Sequence, residues 1–120
     1  MEYRIFRLKT QILKDFKFNW TIENMAELSN LSKEHFHKLF KKEIGQSPIQ
    51  FLRFLRLEKA KELLETTNLR IKEIICAVGI HNQAHFVRDF KKAYVFKPNE
   101  YRQKYWDNIQ IKKEKNTLNG

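Results

Sequence analysis

Part of this chain is written twice. Phe36-His37-Lys38-Leu39-Phe40-Lys41-Lys42 returns fifty positions later as Phe86-Val87-Arg88-Asp89-Phe90-Lys91-Lys92. The same offset pairs Pro48 with Pro98 and Phe51 with Tyr101. Upstream the pairing runs one residue out of step, Ile22 with Ile71 and Met25 with Ile74, so the second copy's turn is one residue longer. In 120 residues, an internal repeat of this period implies two very small subdomains that share a support.

The support is the stretch from Ser47 to Thr66. Ser47 suits a helix cap, and Pro48 suits the first helical position, where its missing N–H costs nothing. Nothing interrupts the pattern before Thr66-Thr67-Asn68, so the spacing predicts a helix over 48–66 of about 28 Å at ~1.5 Å per residue. Its apolar residues do not form one stripe. At about 100° per residue, Phe51, Leu52, Phe54 and Leu55 lie on one side, and Leu57, Ala60, Leu63 and Leu64 on a side turned by roughly 150°. A helix bridging two small cores, one near each end, has reason to do this.

The flanking segments read as helices too. Ile5, Leu8, Ile12, Leu13 and Phe16 recur at helical spacing over 4–18 among Arg4, Arg7, Lys9, Lys14 and Lys17. Thr21 caps a short helix over 22–29 that should bury Ile22, Met25, Ala26 and Leu28, and Asn30 suits a tight turn. Ser32 caps a basic helix over 33–43, with Phe36, Leu39 and Phe40 inward, and Gly45 ends it. Two short helices joined by a three- to four-residue turn, the second one basic, spell helix-turn-helix. The second copy gives helices over 71–78 and 82–92 around Gly79, and Pro98 opens a last helix holding Tyr101, Tyr105 and Trp106. The fold class is therefore all-α, with two helix-turn-helix subdomains (4–46 and 67–106), a linker helix over 47–66 and about seven helices. A basic polar tail over 107–120 follows, expected to fray from Lys112 to Gly120.

The net charge is +10 and the pI about 9.8, which suggests a polyanionic partner: DNA, RNA or an anionic membrane surface. No run of about 18 apolar residues offers a membrane span, and no signal segment opens the chain. Cys76 has no second cysteine to pair with, and within Ile74-Ile75-Cys76-Ala77-Val78 it reads as a buried, inert thiol. The expected compartment is the cytoplasm. His81 and His85 are four apart, but the first lies at a turn and no cysteine pair or metalloprotease glutamate accompanies them, so no metal and no cofactor are expected. Glu58, Glu62 and Glu65 read as one exposed helix flank without a catalytic dyad, which argues against an enzyme. The aromatic residues recur at core spacing, so neither a stacking platform nor a sheet surface for RNA is evident.

Two helix-turn-helix units on one long helix resemble the AraC/XylS family of bacterial transcription regulators. The resemblance rests on Ala26 and Gly45-Gln46-Ser47-Pro48, then on Leu55-Arg56-Leu57-Glu58-Lys59-Ala60 with Leu63-Leu64. It continues through Ile74, Val78-Gly79-Ile80, Phe86, Arg88, Phe90-Lys91-Lys92, Pro98 and Glu100-Tyr101-Arg102. It covers about residues 10–105. Four positions depart from the pattern: Arg70 for a Ser or Thr cap, Ile80 for Phe, and Val95 and Lys97 for Gly and Ser.

The resemblance implies a sequence-specific regulator that binds double-stranded DNA and inserts two recognition helices into successive major grooves. It implies Glu34, His37 and Lys38 as base readers in the first unit, and Gln83, Val87 and Arg88 in the second. Lys38 and Arg88 suit guanine, Gln83 adenine, Glu34 the cytosine amine and Val87 a thymine methyl. Ser32, Lys33, Lys41, Asn82, His85 and Lys91 are the expected phosphate contacts. Because the two heads differ, a monomer should suffice on an asymmetric site; RNA polymerase is the protein partner implied, and no membrane is. The family often carries a sensing domain for which 120 residues leave no room. The chain thus reads as a short stand-alone regulator or as the DNA-binding piece of a longer one, with a non-specific nucleic-acid binder as the remaining alternative.

Overall fold

The computed structural model describes the backbone of residues 2–119 and the side chains of 2–116. Its helices are α1 (Tyr3–Lys14), α2 (Ile22–Leu28), α3 (Lys33–Ile44), α4 (Pro48–Thr66), α5 (Ile71–Ala77), α6 (Gln83–Tyr94) and α7 (Pro98–Asn119), with no strand among the described residues. The chain divides into two compact units, Met1–Arg56 and Leu57–Gly120, and the division falls inside α4.

In the first unit, Ile5, Leu8 and Ile12 of α1 meet Met25 and Ala26 of α2, Phe36 and Phe40 of α3, and Phe51, Leu52 and Leu55 of α4. Phe40 lies with its ring centroid 5.7 Å from both Phe36 and Phe51. Burial of each such side chain contributes about 1.5–3 kcal/mol, and the seven-residue α2 depends on it, being too short to persist alone. Ser47 and Gln50 cap α4 reciprocally, each side chain accepting the other's amide at 3.2 Å.

Three expectations fail here. α1 stops at Lys14, not at residue 18, and side chains hold the carbonyls of the loop that follows. The Trp20 indole donates to the Asp15 carbonyl at 2.8 Å, and the Arg56 guanidinium donates to those of Phe16 and Phe18 at 3.0 and 2.8 Å. Burial in this loop pulls the Arg56 pKa down from its ordinary value. Leu28 is 55% exposed, and Ser29 takes the inward place, almost fully buried with its hydroxyl on the Met25 carbonyl at 2.9 Å. Leu13 too is 45% exposed, at the margin of the face set by Ile5, Leu8 and Ile12.

In the second unit, Leu57, Ala60 and Leu64 of α4 are buried, as are Ile74, Ile75 and Val78 around α5 and Phe86 and Phe90 of α6. The ring of Phe90 lies 4.7 Å from that of Tyr94 and 5.5 Å from that of Tyr101. Glu58 and Glu65 do not form an open flank. They are half-buried and accept the hydroxyls of Tyr94, at 2.6 Å, and Tyr101. The Arg102 Nε adds a bond to the Leu64 carbonyl at 3.1 Å. α4 thus serves one core with residues up to Leu55 and the other with residues from Leu57.

Cys76 is exposed, not buried. At about 100° per residue it lies some 100–160° from Ile74, Ile75 and Val78, which fill the inner face. α7 runs on to Asn119, where a fraying tail was expected. No Gly or Pro interrupts it after Pro98, and Gln103–Asp107 (3.0 Å) and Gln110–Glu114 (3.3 Å) bond across successive turns. Gly120, the last residue of the expected tail, lies outside the described residues, as does Met1.

Candidate nucleic-acid interface

The two helix-turn-helix elements are built alike. In the first, the Leu31 amide donates to the Ala26 carbonyl at 3.0 Å and Asn30 holds the turn at φ 56°. In the second, the Ile80 amide donates to the Ile75 carbonyl at 2.9 Å and Gly79 holds the turn at φ 79°. Ser32 follows Leu31 directly, whereas His81 stands between Ile80 and Asn82, so His81 is the extra residue that puts the copies out of step. Both second helices are capped by a side chain. Ser32 Oγ accepts the His35 amide at 3.2 Å, and Asn82 Oδ1 accepts the His85 amide at 2.9 Å. The Ser32 hydroxyl proton and the Asn82 amide nitrogen stay available as donors to an anion in front of the helix. Arg70, at the cap of α5, has no acceptor to offer, and there Glu73 alone closes on the Arg70 amide at 3.0 Å.

The inward residues fix what remains outside. Phe36 and Phe40 are fully buried and Leu39 half-buried, which leaves Lys33, Glu34, His35, His37, Lys38, Lys41 and Lys42 exposed. Phe86 and Phe90 hold α6 in the same register, leaving Asn82, Gln83, Ala84, His85, Arg88, Lys91 and Lys92 exposed. Val87 is half-buried, at the border where the first copy has the exposed His37. The shared register also sets Ala84 in the place of Glu34 and Gln83 in that of Lys33. Both helices keep two lysines in the last turn, where a cation also complements the helix dipole.

Two cations of α3 and α6 are engaged in ion pairs within the chain itself. Lys33 pairs with Glu23 at 3.5 Å on exposed side chains, and the exposed Arg88 with the half-buried Asp89 at 3.5 Å; solvent screens the first pair most. The Glu23 carboxyl is held below its ordinary pKa first by its own backbone amide at the start of α2, then by Lys33. Among the described residues no group of three or more His, Cys, Asp or Glu could hold a metal ion. No helix there is long and apolar enough to cross a membrane. Each of the two helices, in the same register within its own unit, turns cations and hydrogen-bonding side chains to solvent, the chemistry that a polyanion meets.

Residues 25–104 match the family model described as a helix-turn-helix domain. An uncharacterised HTH-type transcriptional regulator of Haemophilus influenzae is 37% identical over 91 residues, covering 76% of this chain and 30% of the relative. The chain spans about a third or less of the length of the first curated relatives it matches. The C-terminal domain of AraT, a response regulator from Geobacillus stearothermophilus, superposes with a TM-score of 0.80 at 38% identity, over 86% of each chain. The DNA-binding domain of AdpA, a global transcriptional factor solved with a target DNA, superposes with a TM-score of 0.85 over 89% of this chain and 96% of its own. At 21% identity that likeness shows a common fold.

Proposed function

This chain belongs to the AraC-type helix-turn-helix family, and from that premise we propose that residues 4–106 are the double-stranded-DNA-binding unit of a transcription regulator. The observation that carries the proposal is the repeated outward face: α3 and α6 turn matching positions to solvent, and those positions hold cations and hydrogen-bonding groups. Glu34, His37 and Lys38 read bases for the first unit. Gln83, Val87 and Arg88 do so for the second. Ser32, Lys33 and Lys41, with Asn82, His85 and Lys91, hold phosphates. Ala84 has no polar group where the first copy has Glu34, so the second head depends more on Arg88 for its discrimination. The two heads differ in every reader, so the preferred site is asymmetric and one chain occupies it. RNA polymerase is the protein partner that such a regulator would address, and the cytoplasm is where both are found.

The test is selection of bound duplexes from a random DNA pool at physiological salt, followed by footprinting of the selected site. The expected result is an asymmetric motif of two blocks about one helical turn, roughly 34 Å, apart. Binding without an enriched motif, fading as salt rises and competed equally by structured RNA, would replace this reading with a non-specific polyanion binder.

A further inference from the structure

The outer face of α1 is apolar where the DNA-binding reading asks nothing of it. Tyr3 is 67% exposed, Phe6 53% and Leu13 45%. Together with Thr10 they follow one another at intervals of three, four and three residues, the spacing of the a and d positions of a heptad. At about 100° per residue the four fall within an arc of about 80°, running from Leu13 beside the inner face of Ile5, Leu8 and Ile12 to Tyr3 opposite it. The Thr10 hydroxyl is spent inside the helix, donating to the Phe6 carbonyl at 3.0 Å. The seam therefore makes little demand for outside hydrogen bonds.

Charge says what can lie on it. α1 contains Arg4, Arg7, Lys9 and Lys14 and no acidic residue. Arg4 is paired with Glu2 at 2.8 Å, and Arg7 leans over the Tyr3 ring with its guanidinium carbon 5.7 Å from the centroid. Lys9 and Lys14 border the seam on either side. We propose that this face docks an amphipathic α-helix of a partner protein, apolar along its contact edge and acidic on its flanks. A second copy of this chain would set cations against cations. A lipid surface would be met by a broad apolar face, whereas a narrow a/d seam fits one facing helix.

The probe is a fluorescein-labelled 21-residue helical peptide with Leu at a and d and Glu at e and g, beside a twin with Lys at e and g. The full chain binds the acidic peptide in fluorescence anisotropy, more weakly at 1 M salt, and ignores the twin. Phe6→Gln and Leu13→Gln, both at exposed positions, lower that affinity at least tenfold, while circular dichroism and affinity for non-specific duplex DNA stay unchanged. The triple variant Arg7→Glu, Lys9→Glu, Lys14→Glu reverses the preference to the twin. Four results would each overturn the proposal: no binding of the acidic peptide, equal binding of both peptides, a parallel loss of DNA affinity in the Gln variants, or sedimentation with phosphatidylglycerol vesicles without peptide binding.

Discussion

Replacing Val95 with glycine should make this protein more stable, although it removes a hydrophobic side chain. Val95 sits directly after α6 at φ 78° and ψ −39°, a combination that a β-branched residue adopts only under strain. The equivalent residue of the first copy, Gly45, takes φ 89° after α3. The valine has little to hold it there, being 71% exposed. Strain at such a position costs on the order of 1–3 kcal/mol, and the extra freedom of a glycine in the unfolded chain costs roughly 0.5–1. The difference leaves Val95→Gly ahead by about 1 kcal/mol, a rise of roughly 3–6 °C in Tm for a domain of this size. Urea denaturation followed at 222 nm measures it. The reverse substitution isolates the backbone effect, since a Cβ at position 45 would meet nothing within 4 Å. Gly45→Ala should therefore cost about 1 kcal/mol through φ alone. A loss of stability in Val95→Gly would refute the reasoning, and a neutral Gly45→Ala would remove its basis.

Arg88→Ala should cost ~1–3 kcal/mol on the selected duplex and relax one base position, whereas Lys41→Ala should weaken all sequences alike and lower the salt slope by about 1; equal losses on every sequence for both would remove Arg88 as a reader. Arg56→Leu leaves the Phe16 and Phe18 carbonyls without the guanidinium and should cost about 1–3 kcal/mol, with Trp20 emission shifted toward that of an exposed indole. Unchanged emission and stability would show that the loop does not need it. Ser47→Ala should lose roughly 1 kcal/mol and Lys97→Ser gain up to that amount, because Ser47 caps α4 and Lys97 stands at the same place before α7; equal urea midpoints across the set would refute this. The Tyr94 and Tyr101 hydroxyls titrate above the ordinary tyrosine range, through burial first and then the bonded glutamates. The unfolded chain gives up those protons more readily, so the stabilisation is intact below about pH 10 and falls as pH rises further. Tyr94→Phe and Tyr101→Phe should flatten that alkaline decline in a pH series of urea midpoints; an unaltered profile would show that the clamps contribute nothing.

What could be read from the residues was what depends on neighbours in the chain. Ser47 and Pro48, Asn30 and Gly79, and the spacing of Phe36 with Phe40 and Phe86 with Phe90 each act within one or two turns, and the elements start and turn where these residues require. Contacts between distant segments left no such mark. Nothing local distinguishes Glu58 or Glu65 from a solvated glutamate; each is defined by a tyrosine 36 positions on. Arg56, which lies 40 residues from Phe16, likewise holds the loop after α1 from outside it. Cys76 was misjudged by its apolar neighbours in sequence, whereas the helical angle decides, and Leu28 lost its inward place to Ser29 by one residue of register. For the outward faces of α3 and α6, elimination worked: once the buried phenylalanines are assigned, the residues left over follow, and only the half-burial of Val87 escaped it.

The swing of α4 lets one helix do the work of two. Leu57, Ala60 and Leu64 repeat the spacing of Ile5, Leu8 and Ile12, and each trio opens its unit's core from the first helix. Pro48 and Phe51, in turn, match Pro98 and Tyr101 of the closing helix α7. α4 is thus two terminal helices welded end to end, the last of one copy and the first of the next. The chain's natural seam lies between Arg56 and Leu57, in the middle of an unbroken helix. A cut in the loop at 67–70, which looks like the gentler place, would strip the second copy of its opening helix.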